Sequence, residues 1–211
     1  MSRAGMAEAA RAVATARHAN DTLEQSSSAV VRVFNTTVGV AYLPNAAEIT
    51  RRQASGLAAV TQMDLLDVLM GLPIGLPIAV KDLTGRERRL LRRAPAGIVD
   101  IVEGQCTRQA VPPLSPQFAV VSSLTWKDGL RSAGQFAPFC SRVMLLRSVP
   151  DDLDDARVQA SFFGIGICVF SSSGLRMLVD PQPYVRHRHS CGQWWFAEEL
   201  YRQVIASGLG G

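Results

Sequence analysis

Apolar residues in the second half of the chain fall into short unbroken runs, separated by segments with helical spacing. The runs Phe118–Val121, Val143–Leu146 and Gly164–Phe170 have the length and composition of buried strands. Between them, Trp126–Gln135 and Leu153–Phe163 have the apolar spacing of helices. Because strands and helices alternate, the pattern predicts an α/β (α+β) fold built on a mixed β-sheet.

The beginning of the chain is predicted to form one long helix followed by strand. Met6–Leu23 is rich in alanine and contains no glycine or proline, so it predicts a helix. Ala29–Tyr42 is rich in valine and threonine and predicts strand structure, with breaks near Asn35 and Gly39.

Two short helices, Ile49–Ala59 and Met63–Met70, are predicted next because each follows a capping signal. Joined by a tight turn, they are compatible with a helix–turn–helix, although a plain helical subdomain explains them more simply. The proline- and glycine-rich connector Leu72–Pro77 then predicts a boundary. We therefore expect a small N-terminal subdomain of helices and strand over 1–77 and a core domain with a C-terminal helix over 78–211.

Between this connector and the central strand, the pattern predicts one more strand and a loop. Ile98–Val102 is a short apolar run, and we expect it to form a buried strand interrupted by Asp100. Gly104–Gln117 contains three prolines and predicts a loop. Near the end of the chain, Trp194–Val204 predicts a closing amphipathic helix.

The strongest charge feature is a run of arginines on a predicted helix. Thr84 and Glu87 form a capping-box signal, and residues 85–93 carry five arginines against one acid. A solvated helix surface is the ordinary explanation, and contact with phosphate groups is the functional one. The candidate nucleic-acid-binding residues are Arg86, Arg88, Arg89, Arg92 and Arg93, together with Arg186 and Arg188 near the C-terminus.

The composition is that of a globular, mildly basic protein. Hydrophobic residues make up 47% and charged residues 19% of the chain, with a net charge of +4, which excludes a disordered chain. No apolar run is long enough for a membrane span, and the N-terminus lacks the apolar segment of a secretory signal. We therefore expect a cytoplasmic protein with no membrane partner and with reduced cysteines.

The segment that contains His187, His189 and Cys191 is a candidate metal site, because these residue types bind zinc. The sequence has no fourth ligand at a suitable spacing, and Arg186 and Arg188 would repel a cation. We therefore predict no metal here, and we interpret the segment as a basic, exposed stretch that contacts phosphate or a partner.

From Asp100 onward, the predicted elements follow the order strand, loop, strand, helix, strand, helix, strand, strand. The helix Trp126–Gln135 carries tryptophan, arginine, alanine and glutamine in turn, and Phe139 follows Gln135 by four positions. This pattern resembles the restriction-endonuclease-like core of the PD-(D/E)XK nuclease superfamily over about residues 95–182. The resemblance implies a mixed-sheet nuclease core, with a metal-binding acid at Asp100 and a glutamine motif at Gln135.

The chain departs from that family where its acid and lysine are expected. Ser122 and Leu124 stand in these two positions. Serine lacks the negative charge of a carboxylate that would bind Mg²⁺. Leucine lacks the ammonium group that would neutralise the negative charge developing on the phosphate. The resemblance therefore implies an inactive member without a cofactor. If the active-site residues have migrated, the enzyme would use Mg²⁺ with Asp100 as metal ligand, and its catalytic residues would be Asp100, Glu103, Lys127 and Gln135.

Three hypotheses for function remain open. The leading one is a non-catalytic, nuclease-like protein of bacterial origin that binds DNA or serves in a DNA-related complex. The first alternative is an Mg²⁺-dependent DNA endonuclease with migrated active-site residues. The second is a protein–protein interaction module without nucleic acid, whose docking faces would be the N-terminal helix and the C-terminal helix that contains Trp194-Trp195-Phe196.

Overall fold

The computed structural model describes residues 3–17, 26–171, 174–186 and 188–208 of the chain. The chain forms two compact units, and each unit is built from two separate segments. Met1–Leu43 and Pro116–Val185 form the first unit, and Pro44–Ser115 and Arg186–Gly211 form the second.

Helices and strands are mixed throughout the chain, which confirms the α/β class with a mixed sheet. The predicted boundary at residue 77 coincides with the first residue of a strand in the second unit. In chain order the elements are α1 (Arg3–Arg17), β1 (Ser27–Val33), β2 (Thr36–Pro44), α2 (Ala46–Ser55), α3 (Met63–Gly71), β3 (Pro77–Ala79), a 3₁₀ turn (Val80–Asp82), α4 (Gly85–Arg92), β4 (Val99–Val102), β5 (Gln105–Arg108), β6 (Leu114–Ser122), α5 (Trp126–Gly134), β7 (Ser141–Leu146), α6 (Leu153–Phe162), β8 (Ile165–Ser171), β9 (Gly174–Val179) and α7 (Cys191–Ala206).

The first unit contains a six-stranded mixed sheet with the strand order β1-β2-β6-β7-β8-β9. β1 and β2 form an antiparallel hairpin that turns at Phe34 and Asn35, both of which have positive φ. β6, β7 and β8 run parallel, with α5 and α6 as the crossover connections, and β9 returns antiparallel to β8. The predicted strand–helix repeat is therefore confirmed.

Helices cover both faces of this sheet. Val13 of α1 clusters with Val143 and Leu145 of β7 on one face. Met144 points to the opposite face because side chains alternate along a strand. A Cβ atom added to Gly129 of α5 would lie 2.8 Å from the Met144 sulfur, so α5 packs closely on that second face.

The predicted break at Gly39 is wrong, because Gly39 lies within β2 and pairs with Val30 of β1. A Cβ atom at this position would lie 2.6 Å from the backbone oxygen of Met6. The glycine therefore allows α1 to approach the sheet closely. The predicted helix Met6–Leu23 is confirmed as α1 up to Arg17, and its remainder lies outside the described residues.

The second unit contains a three-stranded antiparallel sheet with the order β3-β5-β4. The buried environment predicted for Ile98–Val102 is wrong for most of that run. Ile98 is buried, whereas Asp100, Ile101 and Val102 are exposed. The physical reason is that β4 is an edge strand of a small sheet, so much of its surface stays in water.

The loop predicted over Gly104–Gln117 is also wrong, because it contains β5 and the beginning of β6. β5 pairs with both β3 and β4, which turns this polar segment into the central strand of the small sheet. Pro116 lies in the part of β6 that precedes its pairing with β7, which begins at Phe118. Its missing N–H therefore costs no hydrogen bond in that ladder.

The helix predicted over Ile49–Ala59 ends earlier, at Ser55. Gly56 adopts a left-handed conformation with φ of 66°, and its N–H donates to the carbonyls of Arg52 and Gln53. This glycine ends α2. Residues 56–62 then separate α2 from α3, so these two helices lack the tight turn that the predicted helix–turn–helix required.

A buried ion-pair network joins α2 to α7 within the second unit. The side chains of Arg52 and Glu198 are both 0% exposed and lie 2.7 Å apart. Arg52 also donates to Glu48 at 2.6 Å, and Glu198 accepts from the Trp194 indole at 2.9 Å and from the Val60 N–H at 2.9 Å. Arg52 therefore serves the interior of the unit and is not available to a nucleic acid.

Arg108 is a second arginine that is used internally. Its guanidinium donates to the carbonyls of Leu69 at 2.7 Å and Leu72 at 3.1 Å, at the C-terminus of α3. It also stacks on the Trp194 ring at 4.5 Å from the ring centroid. These contacts fix the end of α3 against β5 and α7.

None of the helices in the described ranges has the length and apolar content needed to cross a membrane.

Candidate nucleic-acid interface

The arginine-rich helix α4 begins with the predicted capping box. The Thr84 hydroxyl accepts a hydrogen bond from the Glu87 N–H at 3.3 Å, and the Glu87 carboxylate accepts one from the Thr84 N–H at 2.6 Å. The hydrogen bonds from Thr84 lower the pKa of Glu87. The single acid of α4 is therefore used to fix the start of the helix.

The basic side chains of α4 lie at the surface while its apolar side chains turn inward. Leu91 is buried in the core cluster of the second unit, with Leu90 packed against it. Arg86 forms an exposed ion pair with Asp64 of α3 at 3.1 Å. None of the other four arginines forms an ion pair with any described carboxylate, and none is buried. These four are Arg88, Arg89 and Arg92 of the helix and Arg93, its C-cap residue.

The β4–β5 hairpin adjoins α4. Ile101 of β4 lines a small cavity of about 60 Å³ together with Leu91, Arg88 and Arg92 of α4. The neighbouring Val102 is 65% exposed, so the outer edge of the hairpin carries apolar side chains. The helix and the hairpin therefore form one continuous surface, basic along α4 and apolar along β4. We call it the α4–hairpin surface.

The structure places Asp100 and Glu103 on this hairpin. Asp100 is exposed and accepts a hydrogen bond from the Gln109 amide at 2.8 Å. Glu103 and Gly104 form the two-residue turn between β4 and β5, with φ of 50° and 76°. Positive φ at both positions is the geometry of a type I′ turn, so the backbone at Glu103 is explained by the hairpin.

Lys127 and Gln135 lie on α5 in the first unit. Lys127 is exposed at the beginning of the helix, with its ammonium group 5.3 Å from the centroid of the Trp126 ring. Gln135 is the exposed C-cap residue. Phe139, which the resemblance pairs with Gln135, stacks on Phe34 with their ring centroids 5.7 Å apart.

The four residues that the nuclease alternative requires are thus divided between the two units. Asp100 lies in the three-stranded sheet, whereas β6 lies between β2 and β7 in the six-stranded sheet. β2 contains no acid. Among the described residues, no group of three or more histidine, cysteine, aspartate and glutamate side chains is arranged to hold a metal ion.

The segment after β6 and the end of β7 line a cavity of about 360 Å³, which includes the position where the resemblance expects its lysine. Leu124 lines this cavity and is 79% exposed. The Trp126 indole donates to Asp152 at 2.8 Å across it. Thr125 caps α5 by accepting a hydrogen bond from the Asp128 N–H at 3.2 Å, as the sequence predicts.

Arg186 and Arg188 are both exposed and belong to a segment without helix or strand. His187 lies outside the described residues. Cys191 is the first residue of α7, which begins with a capping box between Ser190 and Gln193. The local geometry around Cys191 is therefore that of a helix start.

The four cysteines are unpaired thiols. Burial raises the pKa of Cys140 to about 12 and also raises the pKa of Cys106 and Cys168. A thiol reacts as its thiolate, so these three buried groups are poor nucleophiles at neutral pH.

The structure also brings together three cationic residues of the first unit. Lys127 and Arg131 of α5 and Arg142 of β7 line a cavity of about 510 Å³. Neither Arg131 nor Arg142 is among the site residues predicted from the sequence. The signal that would have identified Arg142 is its place in an otherwise apolar strand, next to Val143–Leu146.

Comparison of the chain with known protein families, with curated proteins and with solved structures finds no match in any of the three. The resemblance to the PD-(D/E)XK superfamily therefore rests on the sequence pattern around Asp100, Trp126–Gln135 and Gly164–Phe170.

Proposed function

We propose that this protein binds double-stranded DNA through the α4–hairpin surface and does not cut it. The observation that carries the proposal is the set of surface arginines on α4 that have no carboxylate partner among the described residues. The proposal includes a role as an accessory protein in a DNA-related complex, in the cytoplasm of a bacterium.

Electrostatics supports phosphate as the ligand of these arginines. α4 has eight residues and is therefore about 12 Å long. Duplex DNA carries one negative charge per roughly 1.7 Å of its axis, so a helix of this length can reach several phosphates. A guanidinium binds a phosphate through two parallel hydrogen bonds, which lysine cannot do.

The connection of α4 to its neighbours also supports a DNA-binding role. α3 contacts α4, and the chain between them contains β3 and the 3₁₀ turn Val80–Asp82. The β4–β5 hairpin is the next structural element after α4 in the chain. The Asp64–Arg86 ion pair also joins the two helices. α3 therefore holds α4 in place, and the arginines of α4 remain at the surface, where a duplex can reach them.

The salt dependence of binding tests the proposal. The affinity for a short fluorescent duplex would be measured by anisotropy between about 50 and 200 mM salt. Each phosphate contact contributes about −0.9 to the slope of log K against log salt concentration, so four contacts give a slope of roughly −3.6. The double variant Arg89→Ala/Arg92→Ala should reduce that slope by about 2.

A matched control removes the same charge from the first unit. Arg147 and Arg176 are exposed and lie outside the α4–hairpin surface, so Arg147→Ala/Arg176→Ala should leave the slope unchanged. The proposal fails if the chain does not bind the duplex, if affinity does not change with salt, or if both double variants have the same effect. Loss of binding in both would indicate attraction by net charge alone.

A further inference from the structure

The cavity lined by Lys127, Arg131 and Arg142 has the properties of a binding site for a small organic anion. It lies between α5 and the first residues of β7 and β8, and it has a volume of about 510 Å³. That volume is within the usual range for small-molecule sites, about 300–1,000 Å³. Its three charged lining residues are all basic.

Arg142 is the central cation of the cavity. It is the second residue of β7, and its Cα pairs with that of Ile165 at the start of β8. Its guanidinium donates to the Phe163 carbonyl at 2.8 Å, and no described carboxylate lies within ion-pair distance. Burial lowers the pKa of Arg142, because the half-buried guanidinium has lost part of its hydration. An anion would restore the interactions that this charge lacks.

Lys127 and Arg131 supply further positive charge from α5. They are four residues apart and therefore lie on the same side of the helix. Arg131 is 3.3 Å from the carboxylate of Asp128, but its side chain is 79% exposed, so this ion pair is weak and easily exchanged. Arg131 is thus available to a ligand in the cavity, and the exposed Lys127 would exchange its contact with the Trp126 ring for a bound anion.

The rest of the cavity lining is apolar. Leu130 and Ile165 belong to it, and so does Phe163, which is 50% exposed. Phe162, which is 80% exposed, packs edge-on against Phe163 with ring centroids 5.0 Å apart. Two adjacent exposed aromatic rings beside a cationic cavity favour a ligand with an apolar body.

We propose that this cavity binds a small molecule composed of an apolar, ring-sized body and a single anionic group. The anionic group would contact Arg142, with Arg131 and Lys127 as further partners, and the body would lie against Leu130, Phe163 and Ile165. This proposal does not depend on DNA binding, since every residue that it uses belongs to the first unit.

Anilinonaphthalene sulfonate is a suitable probe, because it combines an apolar aromatic body with one sulfonate and fluoresces when bound. Phenylnaphthylamine has the same aromatic body without the sulfonate and serves as the matched neutral probe. We expect the sulfonate to saturate at one site per chain and to bind about tenfold more tightly than the neutral probe, as a charged hydrogen bond predicts.

Variants of the chain locate the site. Arg142→Met should weaken binding of the sulfonate about tenfold and leave binding of the neutral probe nearly unchanged. The matched control Arg147→Met changes an exposed arginine that does not line the cavity, and it should bind both probes like the unmodified chain. Because Arg142 is half buried, Arg131→Met provides a second test at an exposed position and should weaken the sulfonate about threefold.

Three results would overturn the proposal. The first is equal affinity for the two probes. The second is sulfonate binding that neither Arg142→Met nor Arg131→Met changes. The third is binding to many sites per chain, which indicates adsorption to loosely packed surface and not to this cavity.

Discussion

Arg52 donates two hydrogen bonds to Glu198, at 2.8 and 2.7 Å, although the two residues are 146 positions apart in the chain. Arg52 belongs to α2 and Glu198 to α7, so this pair joins the two chain segments of the second unit. Both side chains are fully buried, and each has further hydrogen-bond partners. The pair therefore determines how α7 docks on α2.

Removing one partner of this pair should strongly destabilise the second unit. We expect Arg52→Met to lower the free energy of unfolding by about 3–5 kcal/mol, because Glu198 keeps its buried charge without its main counter-ion. Urea denaturation followed by tryptophan fluorescence measures the change. The control Arg202→Met breaks an ion pair with Glu199 on the same helix in which the arginine is 55% exposed, and it should cost less, about 1 kcal/mol. Equal losses in the two variants would contradict the prediction.

The stability of this network should decrease in acid through Glu48. Burial alone would raise the pKa of Glu48, but hydrogen bonds and charges from Arg51 and Arg52 outweigh it and lower the pKa below the ordinary 4.5. A lowered folded-state pKa contributes stability that is present above pH 4.5 and is lost as pH falls below that value.

The variant Glu48→Gln isolates this contribution. It should be less stable than the unmodified chain at neutral pH, and the difference in urea midpoint should shrink as pH falls below the ordinary glutamate pKa. A difference that stays constant with pH would show that Glu48 acts through packing and not through its charge.

Asp64 should weaken DNA binding, because its carboxylate pairs with Arg86 on the α4–hairpin surface. We expect Asp64→Asn to bind a short duplex about two- to threefold more tightly at low salt, since one more guanidinium becomes available to phosphate. The control Asp154→Asn removes the acid of an equally exposed ion pair with Arg157 in the first unit. If Asp154→Asn raises the affinity as much, the effect comes from net charge and not from Arg86.

We expect no cleavage of plasmid DNA by the purified chain with Mg²⁺ or Mn²⁺. Two carboxylates and a lysine are needed to hold the metal and stabilise the transition state. Ser122 and Leu124 supply neither group at the end of β6, and the adjacent β2 has no acid. Gel electrophoresis of supercoiled plasmid is the measurement. Cleavage that disappears in Asp100→Ala would instead establish the migrated-site nuclease.

Those parts of the fold that depend on local signals could be predicted from the sequence. The apolar run Phe118–Val121 lies in the second half of β6, and Thr125 and Thr84 cap the helices that their spacing indicates. A cap is formed by residues three positions apart, and a buried strand shows in its own composition. Such features need no knowledge of distant neighbours.

Features that depend on distant neighbours could not be predicted in this way. Asp100 is exposed to water because β4 is an edge strand. The residues of β4 alone do not show which strand pairs with it or that its other edge stays open. The environments of two arginines also depend on residues that are distant in the chain. Arg52 is buried by a partner 146 positions away, and Arg142 lines a cavity together with residues of α5. The apolar strand around Arg142 distinguishes it from the exposed arginines of α4, but the sequence shows neither the partner of Arg52 nor the cavity beside Arg142.

The interleaving of the two units along the chain has a consequence for folding during synthesis. Residues 44–115 leave the ribosome before the first unit is complete, and α7 with Glu198 follows only after β9. Until α7 emerges, Arg52 lacks Glu198 and the core of the second unit lacks Trp194. We therefore expect the six-stranded sheet to assemble first, around an inserted segment that stays unfolded, and the second unit to become stable only after α7 has been synthesised.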